Sequence, residues 1–244
     1  MLIVCDKYTF VYCQIPKSAC SAIKKWILQL QGNPHMGKLS GSRLLRYIHS
    51  YKFKTITPRE YLDNPKYNSY TLFTVVRNPY LRVVSAFKDR FIQAYKNEPA
   101  LIWKQVAKNI TGTQYLTFRQ FLKYIQPTAQ DIHRGNHHWH LQTALISNNL
   151  LNYDIILHME TLKSDIVKLC DKLGIPKQFC SLSILNSTGN TVHQNKYVCD
   201  ISTSHLNCKT HWKWFYLPNL QQIVYQKYRA DFVAFGYSSK LPIC

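Results

Sequence analysis

Carboxylates are scarce in this 244-residue chain: Asp and Glu number 12 against 31 Lys and Arg, a formal charge of +19. With so few acids and none clustered, no carboxylate metal site and no magnesium-binding pattern is visible. The cation surplus points instead to anionic partners: nucleotides, nucleic acid, acidic polysaccharide or an anionic membrane. The basic residues are scattered rather than gathered into a tail, which weighs against nucleic acid. The eight cysteines (5, 13, 20, 170, 180, 199, 208 and 244) contain no Cys-x-x-Cys, which excludes a zinc ribbon. Cys199, His205, Cys208 and His211 stand close together, but their spacing fits no metal signature and reads as scattered loop residues. Cys5, Cys13 and Cys170 lie in apolar runs, as core thiols do. A Cys180–Cys199 or Cys199–Cys208 disulfide is compatible with an exported protein. No apolar run approaches the ~20 residues of a transmembrane helix, and the opening MLIVC is too short for a signal peptide and is interrupted by Asp6 and Lys7. The expectation is therefore no stable membrane insertion. Repeats and low-complexity tracts are also missing.

What is present suffices for a real core: 46% hydrophobic and 14% aromatic residues, read as one domain over 1–244. The stretch Phe10–Trp26, FVYCQIPKSACSAIKKW, organises the rest. Phe10–Ile15 has the β-branched and aromatic composition of a buried strand, and Pro16 ends it because proline cannot donate to a ladder. Ser21 is a natural N-cap for a helix whose apolar face is Ile23, Trp26, Ile27 and Leu30. A tight turn feeding a helix start presents N–H groups and the positive end of the helix dipole, and Lys17, Ser18 and Ser21 add a charge and hydroxyl donors. This is not G-x-x-x-x-G-K-[ST], since the turn has no glycine. Taken alone, it also describes an ordinary strand-to-helix turn with an exposed lysine.

A second stretch has the same design. In TLFTVVRNPYLRVVSAFKDRF (71–91), Leu72–Val76 is a strand, Arg77 sits at its carboxyl end, Asn78 caps, and Pro79 suits the first helical position. Arg77 and Ser85 would then form a second anion site. Two such strand-to-helix sites suggest a ligand with two separated phosphate groups at the carboxyl ends of a parallel sheet. Further on, Thr57 and Glu60 make a capping box, and 98–126 is helical, part of a helical insertion over 98–142. The run DIHRGNHHWHLQ (131–142) carries His133, His137, His138 and His140 around Trp139. Its histidines read as exposed loop residues, as a general base, or as metal ligands with no cysteine or carboxylate beside them. NYDIILHME (152–160) is a third strand, followed by a helix that Gly174 and Pro176 stop. Residues 181–212 are polar and irregular, as mobile active-site loops often are. One or two helices close the chain. Strand–helix alternation gives an α/β fold with a parallel sheet flanked by helices.

These motifs resemble those of carbohydrate sulfotransferases, most nearly the Golgi chondroitin/dermatan 4-O-sulfotransferase type. IPKSACSAIKKW looks like the family's 5′-phosphosulfate-binding motif and VVRNPYLRVVSAFKDRF like its 3′-phosphate-binding motif. HHWH with NYDIILHMETL resembles the family's His-Trp and Tyr-Asp…Glu-Thr-Leu segments, and YRADFVAFGYS its C-terminal end. The four run in family order across nearly the whole chain. The resemblance implies a P-loop-like three-layer α/β fold with a mostly parallel central sheet. It also implies sulfuryl transfer from 3′-phosphoadenosine 5′-phosphosulfate (PAPS) to a carbohydrate hydroxyl, without a metal. By position, Lys17, Ser18, Ala19, Cys20 and Ser21 would hold the 5′-phosphosulfate, Arg77 and Ser85 the 3′-phosphate, and His138 would be the base, with His137, His140 and Glu160 as other candidates for that role. A non-catalytic nucleotide- or anionic-glycan-binding module on the same fold is the alternative. Where the family often carries a cysteine pair before its Tyr-Asp segment, this chain has Ile146 and Asn149. With no anchor visible, this sets the expectation of a reducing, cytoplasmic location, the Golgi lumen or membrane being the alternative for a truncated catalytic domain.

Overall fold

The strands that precede the lysine and arginine motifs pair with each other. In the computed structural model, which describes residues 2–93, 100–128, 137–147, 149–182 and 196–242, β2 (Phe10–Cys13) and β4 (Thr71–Val76) run parallel, with Phe10 opposite Thr71 and Cys13 opposite Thr74. β5 (Ile155–His158) lies parallel on the other side of β4, with Val76 opposite His158. These are the three strands anticipated. Two more complete the sheet: β1 (Leu2–Cys5) runs antiparallel to β2, and the two-residue β3 (Thr55–Ile56) runs antiparallel to β1. The order is β3-β1-β2-β4-β5, a mixed sheet in an α/β fold. β1 has no polar alternation to announce it, because all four of its residues are buried.

The chain forms two compact units, Met1–Arg77 with Leu145–Ser187, and Asn78–Ala144 with Thr188–Cys244. In the first unit, α1 (Cys20–Leu30) and α8 (Leu162–Lys172) cover one face of the sheet. Ile23, Trp26 and Ile27 of α1 and Ile166 and Leu169 of α8 pack on Phe10, Tyr12, Phe73, Val75 and Leu157. Trp26 stacks on Phe10 with ring centroids 5.6 Å apart, and its indole N–H donates to Phe179 O at 2.7 Å, so the buried ring carries no unsatisfied donor. α8 ends as its sequence dictates: Gly174 takes φ +63°, and the Ile175 N–H reaches back to Cys170 O at 2.9 Å. α2 (Gly41–Ser50) leans on α1 through Leu44, Ile48 and Leu28. α3 (Pro58–Asp63) has the Thr57–Glu60 capping box intact.

The second unit is built on aromatic residues. α4 (Pro79–Lys88) starts with Asn78 Oδ1 accepting from Tyr80 N–H at 3.0 Å and runs into a π-helical turn, Asp89–Gln93. It packs with α5 (Ala100–Thr111), α6 (Phe118–Tyr124) and the terminal α9 (Pro218–Lys227) and α10 (Arg229–Ala234). Phe87, Phe91, Phe118, Phe121, Trp139 and Phe215 meet edge-to-face or tilted around this core. α7 (Gln142–Leu145) is a single turn after the histidine segment. Of the expected irregular segment, 196–212 is tied down: Val198 and Cys199 are buried, Val198 N–H bonds Trp214 O at 2.8 Å, and Arg119 grips Asp200 at 2.6 Å. Residues 183–195 lie outside the described residues, as do 129–136, which include His133. The seven described cysteines are free thiols, so neither disulfide allowed by the sequence forms. Among the described residues, no helix is long and apolar enough to cross a membrane.

In the turn after β1, Asp6 accepts from Lys54 Nζ at 2.6 Å, Lys66 Nζ at 2.8 Å and Tyr70 OH at 2.8 Å, joining three segments of the first unit. The two lysines hold its carboxyl well below the usual range. A depressed carboxyl stabilises the fold above its unfolded value, near 4, and that contribution is lost as pH falls toward the folded value. The side chain is 43% exposed, so screening limits the effect. Asp6→Asn should lower stability at pH 7 by roughly 1 kcal/mol in a denaturant titration, and the gap should narrow steadily below about pH 4.

Candidate functional site

Between β2 and α1 the chain turns without glycine. Lys17 and Ala19 both take left-handed backbone angles, φ 69° and 56°, on either side of Ser18. Each costs a non-glycine residue about 1–2 kcal/mol, and such strain concentrates at functional sites. The alternation brings successive N–H groups toward one side, the geometry of an anion-binding nest. Ser18 N–H bonds Ile15 O at 3.3 Å, while the N–H groups of Cys20, Ser21 and Ala22 precede the first helical hydrogen bond, from Ile23 N–H to Ala19 O at 3.0 Å. Ala19, not Ser21, is the N-cap residue, and it has no side-chain cap. Ser21 lies inside the first turn, 6% exposed, with its Oγ 3.1 Å from His49 Nε2. Ser18 is fully buried, whereas Lys17, Ala19 and Cys20 are half-buried.

The register of β2 against β4 carries the turn to the carboxyl end of β4, where Arg77 stands. Its Nη1 donates to Lys17 O at 3.1 Å, so the guanidinium braces the carbonyl of a left-handed residue. His158, opposite Val76, ends β5 at the same edge and was not singled out from the sequence. Glu160 is exposed in the 3-10 turn that follows, Met159–Thr161. Behind the turn, the Tyr12 hydroxyl is fully buried with no hydrogen-bond partner among the described residues, and burial pushes its pKa well up. The first unit thus brings together Lys17, Ser18, Ala19, Cys20, Ser21 and Arg77. The cradle suits a multiply charged oxyanion, since it combines a nest, a helix N-terminus, an ammonium and a guanidinium.

Ser85 and His138 belong to the second unit. Ser85 is half-buried on α4. His138 is half-buried, His137 exposed and His140 buried. The Arg90 guanidinium contacts His138 Nε2, pairs with Asp89 at 3.3 Å, and lies 5.1 Å from the Trp103 ring centre. The histidine segment itself is fixed through its backbone. Arg82, only 1% exposed, donates to His140 O at 2.6 Å and to His137 O at 3.2 Å. Tyr228 OH donates to Trp139 O at 2.5 Å. Asp231, fully buried, accepts from Gln142 N–H at 2.9 Å and Thr143 N–H at 3.0 Å, the N–H groups at the start of α7. Burial pushes the Asp231 carboxyl up, and Arg82 and these donors pull it back. Arg82 shares a helical face with the buried Ala86, four residues on, and a charge in that position is the signal that could have revealed it. Among the described residues, no three of His, Cys, Asp and Glu gather as metal ligands.

Comparison with known proteins gives the family. The model of the Sulfotransferase family matches residues 1–238. Human carbohydrate sulfotransferase 9 is 25% identical, over 96% of this chain and 52% of its own length. Mouse carbohydrate sulfotransferase 12 is 25% identical, over 97% and 59%, and chicken carbohydrate sulfotransferase 10 is 27% identical, over 97% and 66%. The chain therefore spans a little over half of the length of the first two relatives. These relatives correct one expectation, that of a cytoplasmic location: they are Golgi carbohydrate sulfotransferases. The expectation rested on a missing anchor and missing cysteines, neither of which says where the catalytic fold resides. With a match that runs almost from end to end and a strained lysine turn at the carboxyl edge of its sheet, the chain belongs to the sulfotransferase family.

Proposed function

We propose that the protein transfers a sulfuryl group from PAPS to a hydroxyl of a carbohydrate acceptor. The observation that carries this reading is the glycine-free turn at Lys17–Ala19, held left-handed and braced by Arg77. The fold needs no such strain for its own sake, whereas an anion site does. In this reading, the N–H groups from Ala19 to Ser21 and the Ser21 hydroxyl bind the 5′-phosphosulfate. Lys17 stabilises charge on the phosphate oxygen that leaves as the sulfur–oxygen bond to it breaks. Arg77 and Ser85 bind the 3′-phosphate, for which a planar guanidinium offers two parallel donors.

The attacking acceptor hydroxyl forms the new oxygen–sulfur bond and gives its proton to a base. His138 takes that role, with His137, His140 and Glu160 as its rivals. Because Arg90 donates to His138 Nε2, accepting a proton there requires that the guanidinium move off that nitrogen. The cationic surface suits an acidic glycan, whose approach it would accelerate. No magnesium is needed, since lysine and arginine supply the positive charge.

Four measurements test the reading. Calorimetric titration without magnesium should show binding of the product 3′-phosphoadenosine 5′-phosphate (PAP) and little of ADP or ATP. Arg77→Ala should weaken PAP by about tenfold or more, and should weaken adenosine 5′-phosphosulfate less, because only PAP carries the 3′-phosphate. Equal losses for both ligands would reduce Arg77 to a brace for Lys17. Lys17→Ala should lower kcat by ~10²–10³-fold with the melting temperature preserved, and near-normal turnover would remove Lys17 from the chemistry. His138→Ala should lower kcat by ~10²–10⁴-fold at nearly constant PAP affinity. An unchanged kcat would pass the base role to its neighbours, and PAP binding with no turnover on any glycan would leave a binding module.

A further inference from the structure

Ser21 does not act alone. Its Oγ lies 3.1 Å from Nε2 of His49, near the end of α2, and these two atoms share one hydrogen-bonding position. Ser21 is 6% exposed and His49 is exposed, so the contact reaches from the solvent side into the first turn of α1. The contact admits two arrangements. With an unprotonated Nε2, Ser21 donates its only proton to the imidazole and offers an incoming anion lone pairs alone, which repel it. With Nε2–H, the imidazole donates to Oγ and the serine proton is released to point elsewhere.

Without a partner, a serine in a helix commonly turns its proton back to a carbonyl three or four residues earlier. For Ser21 those carbonyls belong to Ser18 and Lys17, and the second already accepts from Arg77. A donor at His49 keeps the serine proton from being lost in that direction. We infer that His49 is a positioning residue for the donor site: its Nε2–H donates to Ser21 Oγ and so directs the Ser21 proton to the 5′-phosphosulfate. This rests on the reading of the turn as the PAPS site. It adds α2, which carries none of the family motifs, to the machinery.

The test is a double-mutant cycle read by PAP titration and by steady-state kinetics with PAPS. His49→Ala should weaken PAP and raise the KM for PAPS by about three- to tenfold, the scale of one hydrogen bond, with kcat within about twofold. His49→Gln, whose amide N–H can also donate, should recover most of the affinity. In a Ser21→Ala background, His49→Ala should add nothing, because the hydroxyl it orients is gone. Unchanged PAP affinity in His49→Ala, or the same loss with and without Ser21, would overturn the inference while leaving the PAPS reading intact. A folded wild-type protein that fails to bind PAP would instead overturn the reading itself, and this inference with it.

Discussion

The carbonyl of Lys17 is where the sheet and the candidate chemistry meet. It belongs to a residue that the turn forces into left-handed geometry, and it is held by the guanidinium that ends β4. That contact exists only because β2 and β4 are parallel and in the register that sets Cys13 against Thr74. An antiparallel pair would send the two carboxyl ends to opposite edges, with Lys17 and Arg77 far apart. The hydrophobic contacts of Phe10, Tyr12, Phe73 and Trp26 thus do more than stabilise the first unit. They set the register, and the register sets the distance between the two cations.

The second unit solves a different problem. Its histidines lie in a segment with little secondary structure of its own, and a loop without internal bonds needs them from outside. Arg82, Tyr228 and Asp231 supply these at consecutive points from His137 to Thr143. Two of the three are charged and fully buried, which is costly unless each is engaged. Here each is satisfied by backbone groups, so the charges fix the position of a chain segment. Arg90 then acts on the one side chain in that segment that the family resemblance marks for catalysis.

Legibility in the sequence followed how local each signal was. Strands β2, β4 and β5, the Thr57 capping box, the Asn78 cap and the Gly174 stop all rest on composition or spacing within a few residues, and all are in place. β1 escaped notice because a short, wholly buried strand has no alternation, and β3 because two residues carry no pattern. Ser21 was misread as a cap because serine favours caps wherever helices start. The left-handed turn moved the start to Cys20, and a histidine 28 residues away took up the hydroxyl. His49, Arg82, Arg90 and Asp231 act through contacts set by tertiary packing, and one sequence alone has no register for these. That Lys17 and Arg77 share the carboxyl edge of one parallel sheet was legible in two similar strand–turn–helix motifs, whereas the adjacency of their strands was not.

The lack of glycine in the Lys17 turn has a thermodynamic consequence. A glycine-rich phosphate loop samples many shapes, and ligand association must freeze it. Here the side chains at 17, 18 and 19 narrow the accessible backbone states of the unfolded chain, and the left-handed angles are imposed as the protein folds. The ordering entropy is then charged to folding, not to encounter with a ligand. An anion that bound there would meet a turn already shaped, so its affinity would reside in electrostatic and hydrogen-bond enthalpy more than in ordering of the backbone.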